Sequence, residues 1–316
     1  MKREKLTASQ FRDPDGGKAF LEYWNDQIQL LNGRRYQKLS VDTQCGPTVV
    51  WKHEPDGPAA GTLVFFPGAR TCGLFWDLDH VLAPLKPDYR LFLVEVNGQP
   101  SLSAGICPDT SVQTYGAWAR ELLEKLRIDK ATIVGASLGG QICLTLCLAA
   151  PGRVERAVLV NPAGIRAFSK GLRNLFYNFL PMMYPTEKNL KKFFDQVVFA
   201  PPGHDISEPY RQLAEEYMLY VLKNFQFAGK YPAPIGNEWL QQVKSEVYLI
   251  LGDKDILFPY QGTVDLARKH IPGLKEITVL PGIAHGIETS PRTIARLQEI
   301  LQQAPRPEQT PPRLEI

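Results

Sequence analysis

The residues best suited to chemistry in this chain of 316 residues lie in Ala131-Thr-Ile-Val-Gly-Ala-Ser-Leu-Gly-Gly140. Ser137 stands in Gly-x-Ser-x-Gly, after an apolar β-branched run and before a stretch, Gln141 to Ala150, of helical character. A serine in such an elbow takes a strained backbone angle. Its neighbours two positions away must be small so that strand and helix can pass closely. The helix then aims its N-terminus at the serine, offering backbone N–H groups and partial positive charge to a developing oxyanion. The hydroxyl is a weak nucleophile until a base takes its proton, and the base needs a third group to orient it.

Five histidines could serve as the base. His53 falls in an early hairpin, His80 in a helix and His204 in an irregular insertion. His270 falls at a helix C-terminus, where a cationic imidazole is favoured on structural grounds. His285 lies in Leu280-Pro-Gly-Ile-Ala-His-Gly286, directly after an apolar strand, with glycines that let the loop fold over a site. It is the expected base. For the acid, Leu249-Ile-Leu-Gly-Asp-Lys-Asp-Ile-Leu-Phe-Pro259 offers two carboxylates past a strand. Asp255 is the choice, because the loop needs a few residues after Gly252 to turn toward the histidine. Asp253 reads as a turn residue bonding its own backbone. After the preceding strand, Asn161 and Pro162 supply no charge.

These residues require elements to hold them. Tyr36–Val41 and Thr48–His53 read as a hairpin. Thr62–Phe66, Tyr89–Val96, Ala131–Val134, Val154–Val160, Glu246–Leu251 and Glu276–Leu280 read as strands, several uniformly apolar. Helices are expected at Phe75–Leu85, Val112–Leu126 (with Asp109 to Ser111 as capping candidates), Gly262–Lys269 and Pro291–Leu301. Apolar strands alternating with helices mean a mainly parallel sheet covered on both faces. Ligands then bind beyond the carboxyl ends of the strands, where Ser137, Asp255 and His285 fall. The alternation breaks over 163–240, a stretch rich in aromatics with interleaved Lys170, Arg173, Lys188, Lys191 and Lys192. It reads as a helical cap with solvated lysines; a surface lying at a lipid interface is the alternative.

The chain order Ser137, Asp255, His285 resembles that of the α/β-hydrolases, and the likeness covers roughly 48–301. Within that superfamily the chain is similar to bacterial carboxylesterases of the naproxen-esterase type. Gly-x-Ser-Leu-Gly-Gly, a cap ending in Tyr231-Pro-Ala-Pro, then Gly252-Asp-Lys-Asp255 and a histidine loop carry that likeness. The resemblance implies an α/β-hydrolase fold with an eight-stranded, mainly parallel sheet, an N-terminal antiparallel hairpin, helices on both faces and a helical cap after the sixth strand. The expected organisation is a helical extension over 1–35, a core over 36–162 and 241–302, a cap over 163–240 and a flexible proline-rich tail over 303–316.

The resemblance also implies two oxyanion donors, the backbone N–H groups of Leu138 and Ala69. Here the chain departs from its relatives, which carry His-Gly where Pro67-Gly68 stands. Arg70 follows, either as a solvated or salt-bridged side chain or as a guanidinium that selects an acidic substrate. Phe176 and Phe179 are candidate substrate contacts from the cap.

The expected reaction is hydrolysis of a small carboxylic ester through an acyl-enzyme, with no cofactor and no metal. Alternatives keep the triad for carbon–carbon, lactone, thioester or amide cleavage, or lose catalysis and bind a ligand. Net charge is only +3, from 36 basic and 33 acidic residues, so no nucleic-acid partner is expected. The partner is a small-molecule ester, without stable membrane association, and the protein a monomer or homodimer. Five cysteines at scattered spacings argue against a disulfide framework. With no apolar segment after the basic N-terminus, the expected location is cytoplasmic.

Overall fold

The computed structural model describes residues 7–108, 112–229, 232–303 and 313–315. The capping candidates Asp109 to Ser111, Tyr231 and most of the proline-rich tail lie outside them. Eight strands form the main sheet: β1 (Gln37–Thr43), β2 (Gly46–His53), β3 (Gly61–Phe66), β4 (Tyr89–Val94), β5 (Ala131–Ala136), β6 (Val154–Val160), β7 (Val247–Gly252) and β8 (Leu274–Leu280). A short ninth, β9 (Arg313–Glu315), adds to the β8 edge in parallel. The spatial order is β9-β8-β7-β6-β5-β3-β4-β2-β1. The hairpin β1–β2 is antiparallel and joins β4 antiparallel; from β4 to β9 every pairing is parallel.

The central strands are apolar on both sides because both sides are covered. Side chains alternate across the pleat. Leu63, Phe65, Leu91 and Leu93 enter one core; Val64, Phe66, Phe92 and Val94 enter the other. The first core is closed by α1 (Pro14–Leu31), by a later helix of the insertion and by the C-terminal helix. The second is closed by α2 (Val112–Lys125), α3 (Leu138–Ala149) and the helix Tyr260–His270. Cys143 and Cys147 are buried free thiols on α3. Among the described residues, no helix is long and apolar enough to cross a membrane.

Between β6 and β7 the chain forms α4 (Leu172–Met183), α5 (Glu187–Phe193), a π turn at Phe194–Val198, α6 (Glu208–Asn224) and α7 (Asn237–Leu240); α8 (Tyr260–His270) and α9 (Pro291–Gln302) follow β7 and β8. The N-terminal segment straps this insertion to the core. Gln10–Phe11 pairs antiparallel with Phe225–Gln226. Phe20 stacks on Tyr220 at 3.8 Å, and Trp24 stacks on Phe75 at 5.0 Å. The Trp24 indole N–H donates to the Leu213 carbonyl of α6 at 2.7 Å. α1 itself begins with Asp13 capping the Gly16 N–H and Pro14 in its first turn.

One expected helix is broken. In place of a helix over Phe75–Leu85, a 3₁₀ segment covers Gly73–His80 and loses helical geometry at Asp77, Leu78 and Asp79. Asp77 is fully buried, and its carboxylate accepts from Tyr36 (2.7 Å), Asn32 (2.8 Å), Lys86 (2.7 Å) and the Leu82 N–H (3.1 Å). A buried charge must be paired and hydrogen-bonded, and that demand overrides local helical preference.

Trp24 is completely buried and joins the N-terminal helix to α6. Trp24→Ala should therefore lower unfolding free energy by about 3–5 kcal/mol in urea titration. A loss under about 1 kcal/mol would show that the strap contributes little.

Candidate active site

Ser137 sits between β5 and α3 with φ 50° and ψ −113°, a region non-glycine residues avoid. Its backbone is held on three sides. The Ser137 N–H donates to the Val160 carbonyl at 3.1 Å, and the Ser137 carbonyl accepts from Gly140 and Ala163, both at 2.9 Å. Two neighbours must be glycine for this turn to close. A Cβ on Gly139 would run into the Phe66 carbonyl of β3, and one on Gly135 into the Gly139 carbonyl. The N-terminus of α3 begins at Leu138, so its first backbone N–H groups gather beside the serine.

Asp255 and His285 meet across two loops. The Asp255 Oδ2 lies 2.8 Å from His285 Nδ1, which fixes the proton on Nδ1 and leaves Nε2 as the basic atom. Asp255 Oδ1 accepts from the Leu257 and Phe258 N–H groups at 2.7 and 3.1 Å. Both carboxylate oxygens are thus engaged, and the side chain is shielded from water. Burial alone would push the His285 imidazole down. The charge and hydrogen bond of Asp255, with the charge of Glu288, outweigh it and hold the imidazole above the usual histidine range. Glu288 is itself pushed up by burial.

Asn161 and Asp253, to which the sequence assigns no such role, hold these two loops together. Asn161, at φ 40°, accepts from the Gly252 N–H at 2.8 Å and donates to the Ala284 carbonyl at 3.0 Å. It occupies a frequent position for an acid but works as a bridge between the end of β7 and the histidine loop. Asp253 accepts from the Gly282 N–H at 2.7 Å. It is a clamp to the histidine loop, and the expectation that it bonds its own backbone is corrected. Lys254 N–H donates to the Ile283 carbonyl at 2.9 Å, and a Cβ at Gly252 would strike that carbonyl. The insertion completes the fastening: the His285 and Gly286 N–H groups donate to Val197 and Val198 at 3.0 and 2.8 Å.

Three of the other four histidines have separate engagements. His53 Nε2 lies 2.8 Å from the Lys86 carbonyl, His204 Nε2 3.2 Å from Thr289 Oγ1, and His270 Nδ1 3.4 Å from Gln241 Nε2. Burial pushes His204 down to about 4.

The loop after β3 runs alongside the serine, since a Cβ on Gly68 would touch the Ser137 Cβ at 3.6 Å. Ala69 and Arg70 are half-buried there. Arg70 has φ 63°, and its N–H donates to Gln99 Oε1 at 2.8 Å. Thr71 Oγ1 donates to the Gly68 carbonyl at 2.8 Å. Buried Gln99, after β4, therefore shapes the loop that carries Ala69; a lone glutamine in a coil gives no sequence signal for that role.

Phe176 and Phe179 are 56% and 47% exposed. These two candidate substrate contacts stand at the surface because α4 turns Asn174 and Pro181 inward and the two rings outward. A cleft of about 730 Å³ opens beside the acid loop, between Arg173, Asn174 and Asp195 on one side and Lys254, Asp255 and Ala284 on the other. Neither phenylalanine lines it.

The family model for the alpha/beta hydrolase fold matches residues 61–287. Carboxylesterase YbfK of Bacillus subtilis is 26% identical over 288 residues, covering 84% of this chain and 87% of that protein. Its crystal structure, as carboxylesterase CesB, superposes with TM-score 0.75 at 18% identity over 91% of this chain and 99% of the other. The Bacillus subtilis naproxen esterase superposes with TM-score 0.76 at 18% identity over 90% and 98%.

Two measurements check this geometry. In an NMR titration, His285 should titrate above the ordinary histidine value of about 6.5. Asp255→Asn should lower that midpoint, and Glu288→Gln should lower it by less; an unchanged midpoint in Asp255→Asn would contradict the pairing. Asn161→Ala leaves the Gly252 N–H and the Ala284 carbonyl without their partner, so chemical denaturation should register a loss of about 1–3 kcal/mol.

Proposed function

Because the chain belongs to the α/β-hydrolase fold family, we propose that it is a serine carboxylesterase in which Ser137, His285 and Asp255 act in sequence. The observation that carries the reading is the 2.8 Å Asp255–His285 hydrogen bond, made between loops that leave adjacent parallel strands. It fixes the tautomer a general base requires. The strained Ser137 turn at the N-terminus of α3 supports the nucleophile's role. Likeness to YbfK over most of both chains supports an ester as substrate.

In this mechanism Ser137 Oγ attacks the ester carbonyl while His285 Nε2 takes its proton. Asp255 stabilises the imidazolium that results. The carbonyl oxygen becomes an oxyanion, held by the N–H groups of Leu138 and Ala69. The intermediate collapses, the bond to the alcohol oxygen breaks, and His285 returns the proton to that leaving group. Water then attacks the acyl-serine with the same base, releasing the carboxylic acid and restoring the hydroxyl. Pro67 keeps the turn before Ala69 tight without a polar side chain, so this half of the oxyanion site rests on backbone geometry and on Gln99.

An aryl ester should be hydrolysed, and a fluorophosphonate should label Ser137 at one per chain, read by intact mass and peptide mapping. Ser137→Ala should abolish both. Asp255→Asn should cut kcat by roughly 10³–10⁴-fold, because the imidazole loses its fixed tautomer. Folded protein that neither reacts with the probe nor turns over activated esters would overturn the proposal.

A further inference from the structure

The exposed apolar surface of the molecule is concentrated on one helix. Of nine large hydrophobic side chains that stand exposed among the described residues, five belong to α4 and its exit: Leu172 (86% exposed), Phe176, Phe179, Met183 (67%) and Tyr184 (60%). The first four are spaced four, three and four residues apart, so they form one stripe along the helix. The opposite face, with Asn174 and Pro181, packs inward. Monomeric proteins seldom expose such a contiguous stripe without a partner for it.

The charges that adjoin the stripe in sequence, on α4 and the neighbouring α5, point to the partner's chemistry. Within 170–192 five basic residues (Lys170, Arg173, Lys188, Lys191 and Lys192) face a single acid, Glu187. This stretch thus carries four net positive charges, more than the +3 of the whole chain. All five basic residues are exposed. Among the described residues, none of the four lysines has a carboxylate within ion-pair distance, and Arg173 reaches only the amide oxygen of Gln196 at 2.9 Å. A second copy docked through the same face would bring the two cationic rims together, at an electrostatic cost. An anionic lipid surface satisfies both halves of the pattern at once. Twelve residues of α4 are too few to span a bilayer but suit a helix lying in its plane.

We propose that α4 and its basic rim seat the protein on an anionic lipid surface. The apolar stripe enters the boundary between headgroups and acyl chains, and the lysines face the phosphates. The Ser169 N–H, just before α4, donates to the Leu257 carbonyl of the acid loop at 2.9 Å. The docked helix is therefore fastened to the loop carrying Asp255, and its inward face borders, through Asn174, the cleft beside that loop. This inference concerns binding and stands independently of the esterase reading.

The test is flotation of the full chain with phosphatidylcholine vesicles, with and without phosphatidylglycerol, at low and high salt. Binding should require phosphatidylglycerol and weaken as salt screens the charges. Each of Lys188→Gln, Lys191→Gln and Lys192→Gln should weaken it about fivefold. Leu172→Ser with Met183→Ser should weaken it at least about tenfold, both side chains being inserted apolar groups. Circular dichroism melting of each variant establishes that it is folded. Failure to float with phosphatidylglycerol vesicles at low salt overturns the proposal, as does equal binding to neutral vesicles. So does a dimer in sedimentation equilibrium that Leu172→Ser with Met183→Ser dissolves, because the stripe would then belong to a second copy.

Discussion

The backbone angle at Ser137 is the constraint on which the rest of the structure depends. A φ of 50° at a non-glycine residue costs of order 1–3 kcal/mol and persists only when the surroundings over-determine it. They do so here through β3, β5, β6 and α3. Phe66 of β3 lies against Gly139 so closely that no side chain fits between them. Val160 of β6 and Ala163 beyond it hydrogen-bond the serine's own peptide groups. The central sheet is therefore the device that pins one hydroxyl, and its apolar strands provide the rigidity. Burial of Phe65, Phe66, Ile133 and Val158 within the two cores opposes any relaxation of the turn.

A similar constraint governs the Asp255–His285 pair. Neither Asp255 nor His285 is held by regular secondary structure, since both sit in loops past strand ends. Their geometry comes from tertiary hydrogen bonds: Asn161 between β7 and the histidine loop, Asp253 to Gly282, and Val197 and Val198 to His285 and Gly286. The last pair fastens the insertion to the histidine loop. α1 and Trp24 in turn brace α6 of that insertion against the core. Stability of the N-terminal helix is thereby linked to the position of the histidine loop.

Much of this was legible in the sequence where the signal is local. Apolar runs such as 63–66 and 157–160 can only be buried, and Gly135 and Gly139 around Ser137 mark a close approach. Other features carry no local signal. Asp77 looked like a helical residue until Asn32, Tyr36 and Lys86 converged on it from distant segments. Asn161 looked like a position without charge, because its usefulness lies in two loops far along the chain. Phe176 and Phe179 read as cap contacts from their position alone, and only the rotation of α4 shows that both rings face outward.

The sequence by itself determined the layered α/β architecture, the strained serine and the two loops that bear an acid and a base. These follow from periodicity, glycine placement and chain order, which are properties of neighbouring residues. Only the tertiary structure decided which groups fasten those loops, how the Asp255–His285 pair perturbs the imidazole, and which face of α4 meets solvent. Those outcomes depend on side chains remote in sequence becoming close in space, and on the desolvation and hydrogen bonding that such closeness imposes.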